Sequence, residues 1–347
     1  MGVDLGDLAI KHKITLDSLG GKIIAIDAYN VLYQFLASIR QEDGTPLMDY
    51  KGRVTAHLSG LFYRSSKLLE NNIRPVYVFD GKPSDLKRRT HEERAAAKQA
   101  ALEKWKKAVE EERLEDAKRF AQATSRLTPE MVAEAKKLLD GMGIPWVQAP
   151  SEGEAQAAAM VQQGIAYAAA SQDYDAILFG APVLVRNISI TGKRKVPRQD
   201  RYIIIEPEEI RLTETLQAAG LDLEQLITIG ILVGTDFNKG VKGVGPKTAL
   251  KIVKEHKTFD EIIKYTVQKY GYTFEVEPED VMEIFRKPKI MELAEKPVWK
   301  SMDEDQVREM LVKEHDFSEE RISSVMSAVK ERLKETGSQR KLDNWFG

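Results

Sequence analysis

Two pairs of acids, Glu152 with Glu154 and Asp173 with Asp175, lie in the stretch PSEGEAQAAAMVQQGIAYAAASQDYDAILF at residues 150–179. Brought to one place, four carboxylates repel one another, and burying them without counter-charge is costly. Bound cations remove the difficulty. Hard oxygen donors suit Mg²⁺ or Mn²⁺, and two such ions about 3.5–4 Å apart drive in-line phosphoryl chemistry. Either pair alone also has an ordinary use. Glutamates in a first helical turn complement the helix dipole, and Asp-x-Asp is a common turn. The metal reading therefore depends on further acids reaching the same place.

The elements that would bring them there can be read from the pattern. Ser151 is expected to cap a helix whose first turn carries Glu152 and Glu154 and which runs through alanines to Met160. After Gly164, IAYAAAS reads as a strand that releases Asp173 and Asp175 as it ends, ahead of the apolar AILF. KIIAIDAY at 22–29 is another strand ending in an acid, Asp27, with a helix following through Leu36. A helix at 57–70 leads to PVYVFD at 75–80, a strand ending in Asp80. Strands alternating with helices imply a parallel sheet, and ligands gather at the carboxyl ends of such strands. Asp27 and Asp80 would join the two pairs there.

Residues 84–126 are rich in Ala, Glu, Lys and Arg and poor in apolar residues, which predicts helix with little to bury and, on composition alone, a solvated helix or helical hairpin held by i,i+4 ion pairs. The segment leaves from Asp80 and returns to a helix at 128–139, so it must arch over the acidic edge. Lys82, Lys87, Arg88, Arg89 and Arg94 stand near its start. Strands follow at 142–147, 183–188 and 202–205, the last two flanking a basic, solvent-exposed turn, TGKRKVPRQ; helices are expected at 207–219 and 223–233.

The run ILVGTDFNKGVKGVGPKTALKIVKEH then adds Asp236 and a glycine-rich turn opening a helix near Pro246. Such a turn could be a plain helix–turn–helix corner where glycines let helices pack, but backbone N–H groups pointing out of it, with Lys242, Lys247 and Lys251 around it, would make a phosphate grip. It would hold a nucleic-acid backbone without reading bases. Residues 258–335 read as mainly helical, with Trp299, Met302 and Phe317 in the core; the five histidines lack metal-ligand spacing. In the terminal QRKLDNWFG, one helical turn would set Leu342, Trp345 and Phe346 on one side as a plug for a partner's pocket, with Gln339 left to hydrogen-bond; the alternative is a tail packed back on its own domain.

A chain of 347 residues, 42% hydrophobic and 31% charged, has the length for two or three domains and the composition of a soluble protein. No apolar run approaches the roughly 20 residues of a membrane span. The start MGVDLGDLA has no signal-peptide plan, and Gly6 stands where myristoylation needs Ser or Thr. The absence of cysteine points to an intracellular setting. A net charge of −2 leaves any nucleic-acid contact to local basic patches.

The segments GGKIIAIDAYNVLYQFL, RPVYVFDGKPSDLKRR, APSEGEAQAA, SQDYDAILFG, GTDFNKGVKGVGPKTAL and QRKLDNWF, in that order, resemble the flap endonuclease family of 5′ nucleases within the xeroderma pigmentosum group G superfamily. The likeness spans essentially the whole chain and is nearest to the archaeal members. It implies an α/β fold with a PIN-like, mostly parallel central sheet and helices on both faces. A helical arch would cover the active site, beside a helix–two-turn–helix module. The implied regions are a nuclease part at 1–102 with the arch at 84–126, an intermediate part at 120–261 with the helix–two-turn–helix at 224–256, a helical region at 262–335 and a tail at 337–347.

By the same resemblance, Asp27, Asp80, Glu152 and Glu154 hold one Mg²⁺, and Asp173, Asp175 and Asp236 the other, with Mn²⁺ as a substitute. Lys87 and Arg94 would contact the scissile phosphate. Tyr33 would stack on a base, and Arg40, Arg64, Gly234, Glu152, Asp236, Lys242, Gly243, Gly245 and Lys247 would meet DNA, with K⁺ in the turn. Gln339, Leu342, Trp345 and Phe346 would bind the sliding clamp, proliferating cell nuclear antigen. The expected activity is Mg²⁺-dependent removal of 5′ flaps at duplex/single-strand junctions, with 5′–3′ exonuclease activity, in lagging-strand replication and base excision repair. The expected protein is monomeric, intracellular (cytoplasm or nucleoid) and free of membranes. Two rivals use part of the same residues: a non-catalytic junction adaptor that recruits the clamp, and an RNA-directed PIN-like nuclease.

Overall fold

Residues 2–41, 43–84, 86–111, 113, 116, 120, 123–195, 202–256 and 258–346 are described by a computed structural model, with side chains described outside 88–97, 109, 193–195, 202 and 336–346. Successive residues of a strand face opposite ways, and here both faces are apolar. In β2 (Ile23–Asp27) and β3 (Arg74–Phe79), Ala25, Val76 and Val78 enter one buried cluster, while Ile24, Ile26, Tyr77 and Phe79 enter another. Such a sheet needs helices on each side. The helices Gly153–Gln162, Asp175–Leu178, Leu223–Val233, Pro246–Glu255 and Pro278–Arg286 cover the first face. Ala28–Ser38, Ala56–Glu70 and Pro129–Gly141 cover the second, together with the start of Glu319–Phe346.

The seven-stranded sheet has the order β1-β9-β6-β5-β2-β3-β4, adding β1 (Lys11–Lys13), β4 (Trp146–Gln148), β5 (Ala168–Ala170), β6 (Val183–Arg186) and β9 (Glu208–Arg211). The strands β4, β3, β2, β5 and β6 run parallel; β9 pairs antiparallel with β6, and β1 antiparallel with β9. From β2 the chain builds outward to β3 and β4, then returns to β2's other side for β5 and β6. The strand order therefore reverses between β2 and β5, which opens a crevice at their carboxyl ends.

Four local expectations are corrected. The stretch 207–219 is not one helix: Glu208–Arg211 is a strand and the helix is Leu212–Ala219. As a strand, β9 pairs with both β1 and β6, closing strand edges that one more helical turn would leave open, and this overrides local propensity. The basic segment is not only a turn, because β7 (Gly192–Lys195) pairs with β8 (Tyr202–Ile205) in a separate two-stranded sheet. The strand expected at 142–147 is Trp146–Gln148, Met142 having closed the preceding helix. Finally, Glu152, not Ser151, occupies the N-cap of the Gly153–Gln162 helix. The N–H of Gly153 donates instead to Asp80 Oδ1 at 2.6 Å, so the cap comes from across the sheet.

Trp299, Met302 and Phe317 are half-buried against the core, as expected. Trp299 also donates from its indole to the Pro75 carbonyl at 2.9 Å. Among the described residues no single helix is long and apolar enough to cross a membrane.

Candidate active site

Each acid reaches the crevice by its own route. Asp27 ends β2 and caps the next helix, accepting from the Asn30 N–H at 3.0 Å. Asp80 follows β3 and accepts from Gly153, where an added Cβ would lie 2.8 Å from the Asp80 carboxylate. Glu152 and Glu154 open the Gly153–Gln162 helix. Asp173 and Asp175 follow β5, and Asp236 follows the Leu223–Val233 helix. Asp27, Glu152 and Asp175 are only 7%, 8% and 4% exposed, so the cluster is a lining and not a surface patch.

The electrostatics join all seven. Burial pushes Asp27 well above the ordinary carboxylate range, and the fields of Asp80 and Asp173 add to it. Burial raises Asp80 to about 6, with Glu152 and Asp236 opposing its ionisation and Lys87 favouring it. Asp175 rises to about 7 through burial and then Asp236. Glu154 is raised well above its usual value by burial, then by Asp175, Asp27 and Asp173. The pocket is short of positive charge.

Lys87, the first residue of the Lys87–Glu110 helix, supplies the ion pairs described there. Its Nζ donates to Glu152 Oε2 and lies 3.6 Å from Asp236 Oδ2. Burial alone would lower its pKa, but Glu152, Asp236 and Asp80 outweigh burial and hold it above that of an ordinary lysine. The other oxygen of Glu152, Oε1, is buried without a hydrogen-bond partner. A buried, hard, all-oxygen donor set with an unsatisfied oxygen and mutual repulsion fits a small divalent cation. Among the described residues, however, no three acidic or histidine side chains are arranged to hold one ion as they stand. Lys87 occupies part of the space between them.

Several residues that orient the acids carry no sequence motif. Asn30 donates from Nδ2 to Asp173 Oδ2 at 3.0 Å and accepts from the Gln172 N–H at 3.2 Å. Ser171 donates to Glu154 Oε1 at 2.5 Å and accepts from the Asp173 N–H at 3.2 Å. The N-terminal strap is the largest surprise. Val3, Leu5 and Leu8 are buried in the core, and the Val3 N–H donates to Asp175 Oδ1 at 3.0 Å. Any Cβ at Gly2 would fall 2.2 Å from Asp175 Oδ2. Only the Asn three residues after Asp27, at a helix start, gave a readable hint.

Apart from Glu152 and Asp236 in the crevice, the residues expected to meet DNA lie in three places. Tyr33, on the Ala28–Ser38 helix, is 36% exposed, and Lys98 Nζ of the Lys87–Glu110 helix sits 4.6 Å from its ring centre. Arg40 is half-buried and donates to the Gly44 carbonyl and Ser125 Oγ, while Arg64 donates to the Thr191 carbonyl at 3.3 Å. Burial lowers the pKa of both arginines. Between the helices Leu223–Val233 and Pro246–Glu255, Gly234 takes φ +109°, where a Cβ would meet the Gly240 backbone at 2.6 Å. Gly243 (φ +86°) and Gly245 are open, with nothing within 4 Å of an added Cβ. Lys242 is exposed, and Lys247 Nζ lies 3.4 Å from Asp7 Oδ2. The side chains of Arg94, Gln339, Leu342, Trp345 and Phe346 lie outside the described residues.

Two of the histidines are structural. His57, fully buried, pairs with Glu134 at 3.0 Å, and His315 pairs with Asp49 at 3.2 Å.

Comparison with known proteins gives one answer throughout. Residues 3–101 match the XPG N-terminal domain, and residues 143–236 match the XPG I-region. The chain is 50% identical to a flap endonuclease 1 of Staphylothermus marinus, with 100% of each chain covered. It is 51% identical to one of Hyperthermus butylicus, covering 100% of this chain and 99% of that one. Among solved structures, flap endonuclease-1 from Methanococcus jannaschii is 39% identical with a TM-score of 0.73, over 96% of this chain and 100% of that one. The catalytic core of Rad2 in complex with DNA substrate, 23% identical with a TM-score of 0.70 over 95% and 100% of the two chains, shares the fold. An acid-lined crevice at the sheet's switch point, both XPG regions and full-length identity near one half agree: the chain belongs to the flap endonuclease family.

Proposed function

We propose that the protein is a structure-specific DNA nuclease that removes 5′ flaps at junctions of duplex and single strand, with 5′–3′ exonuclease activity. The observation that carries this is the gathering of Asp27, Asp80, Glu152, Glu154, Asp173, Asp175 and Asp236 around one crevice, where Asn30, Ser171, Lys87 and the Gly153 and Val3 N–H groups tie their carboxylates together. On this reading the first four serve one Mg²⁺ and the last three a second, with Mn²⁺ able to replace either. When bound, the two ions supply Lewis-acid activation of water and charge stabilisation at the phosphate.

The rest is the work of the chain. Ser171, Asn30, the Gly153 N–H and the Val3 N–H fix the carboxylates in orientation. Lys87, held fully charged, and Arg94 stabilise negative charge developing on the scissile phosphate. Among the described side chains no histidine lies in the network, so no imidazole base is assigned. The open backbone at Gly243 and Gly245, with Lys242 and Lys247, holds the downstream duplex by its phosphates. A K⁺ ion in that turn would add to the grip. Tyr33 stacks on a base, and Arg40 and Arg64 steer the strand once released from their carbonyl partners. Selectivity then comes from shape and not from base identity. The regions 1–102, 120–261 and 262–335 would act as nuclease, duplex-holding and supporting parts.

The tail residues Gln339, Leu342, Trp345 and Phe346 are assigned to a sliding clamp, which places the enzyme in lagging-strand replication and base excision repair in the cell interior. Cutting of DNA and RNA flaps, each with and without Mg²⁺, tests the reading. Mg²⁺-dependent incision of the DNA flap supports it. Preference for RNA favours a PIN-like RNase, and tight flap binding with no incision favours an adaptor. Truncation after Ser338 should spare intrinsic cutting and remove stimulation by the clamp.

A further inference from the structure

The acid pocket already contains a cation. Lys87 Nζ donates to Glu152 Oε2 and approaches Asp236 Oδ2 at 3.6 Å, and all three side chains are withdrawn from water, at 14%, 10% and 17% exposure. The ammonium also lies 5.1 Å from the centre of the Phe237 ring, which faces it with a favourable quadrupole. It thus bridges acids from two separate elements, the start of the Gly153–Gln162 helix and the loop after Leu223–Val233. A carboxylate lone pair that accepts from an ammonium cannot bind a divalent ion at the same time. In this arrangement no three of the described acids converge on one position, although Glu152 Oε1 stands buried and unpartnered.

We infer that Lys87 is a tethered competitor for a divalent-cation position beside Glu152 and Asp236, and that cation binding expels its ammonium and frees it for the substrate phosphate. The inference rests on the metal-dependent nuclease reading and adds an order of events to it. Without DNA, the lysine satisfies part of the acidic charge and weakens the apparent affinity for that ion, since only the fraction of molecules with the lysine withdrawn is competent to bind. A phosphodiester gives the displaced ammonium a new anion. Metal and DNA therefore favour one another by the same factor in each direction. Lys87 has the right chemistry for this exchange: a compact point charge on a flexible stem, moved by rotation of its own bonds. It begins the Lys87–Glu110 helix, so its release also loosens the base of that helix from the pocket.

The test is calorimetric titration of the full-length, DNA-free protein with MnCl₂ at pH 8, comparing wild type, Lys87→Met and Lys87→Arg. The methionine keeps the apolar stem and removes the charge. It should bind its tightest ion at least about tenfold more strongly, roughly 1.4 kcal/mol, while the arginine variant stays within about threefold of wild type. Equal or weaker binding by Lys87→Met overturns the inference while leaving the metal site intact. If neither wild type nor Lys87→Met binds an ion, the metal reading falls and takes the inference with it.

A second measurement needs no variant. Reductive methylation of the wild type with and without Mg²⁺, read by mass spectrometry, should show Lys87 labelled several-fold faster with the metal while Lys242 is unchanged. Slower or unchanged labelling of Lys87 overturns the inference.

Discussion

The acidic crevice and the glycine turn, both assigned to phosphate in the proposed function, would handle it by opposite physical means. The crevice gathers charge from five separated chain segments and buries it, with Asp27 at 7% and Asp175 at 4% exposure. The turn is one contiguous segment that offers open backbone, with nothing within 4 Å of a Cβ placed at Gly243 or Gly245. A buried set of like charges is costly in itself and is relieved by a counter-ion. An exposed set of N–H groups costs nothing in water and needs no ion to be stable. Removing one acid should therefore change chemistry and leave binding, and altering the turn should do the reverse.

The largest effect is expected at the crevice. Asp175→Asn, measured under single-turnover conditions on a 5′-flap substrate, should lower the cleavage rate by about 10³-fold or more with flap affinity nearly unchanged. A comparable loss of affinity would erase the distinction between the two regions. Gly2→Leu should also act on the crevice, because any side chain there collides with Asp175. About a tenfold loss of rate with unaltered circular dichroism is expected, and a fully active variant would mean that the strap does not position the acid.

The same burial predicts a dependence on pH. Asp80 at about 6 and Asp175 at about 7 lie above their unfolded values near 4. Between these limits the folded chain holds more protons than the unfolded one. Stability of the metal-free protein accordingly falls as pH rises from about 4 to 7, by something on the order of a few kcal/mol. Mg²⁺ should restore it where the acids are ionised, so the rise in Tm on adding Mg²⁺ should be several degrees larger at pH 8 than at pH 5. An increment that is equal, or larger at pH 5, contradicts the acid network as the metal's site.

At the turn the effects are smaller and depend on salt. Lys242→Glu with Lys247→Glu should weaken flap binding at least about tenfold and flatten the slope of log affinity against log salt by about one per lysine. The single-turnover rate at saturation should hold. A fall in that rate with binding intact would assign the turn to chemistry.

This contrast also explains what could be read in the chain beforehand. GVKGVGPKTAL carries its structure locally, through glycines, a proline at the helix start and spaced lysines, and the helices at Leu223–Val233 and Pro246–Glu255 lie where the pattern puts them. The crevice was legible only as an accumulation of strand-end acids, since Asp27 alone is also an ordinary helix cap. What escaped was set by tertiary partners. Glu208–Arg211 has helix-favouring neighbours and becomes a strand because two strand edges lie open to it. Ser151 loses the cap to a carboxylate that arrives from another strand. Gly2 and Val3 look like a dispensable terminus, and nothing local says that they brace Asp175. Lys87 reads as one basic residue among several, whereas its contact with Glu152 and Asp236 exists only in the folded chain.

The most direct measurement is anomalous diffraction from crystals soaked in Mn²⁺ at neutral pH. Two peaks should appear between β2, β3 and β5, with oxygens of Asp27, Asp80, Glu152, Glu154, Asp173, Asp175 and Asp236 within coordinating distance directly or through water. Peaks elsewhere, or no peak among these carboxylates at millimolar metal, would contradict the account.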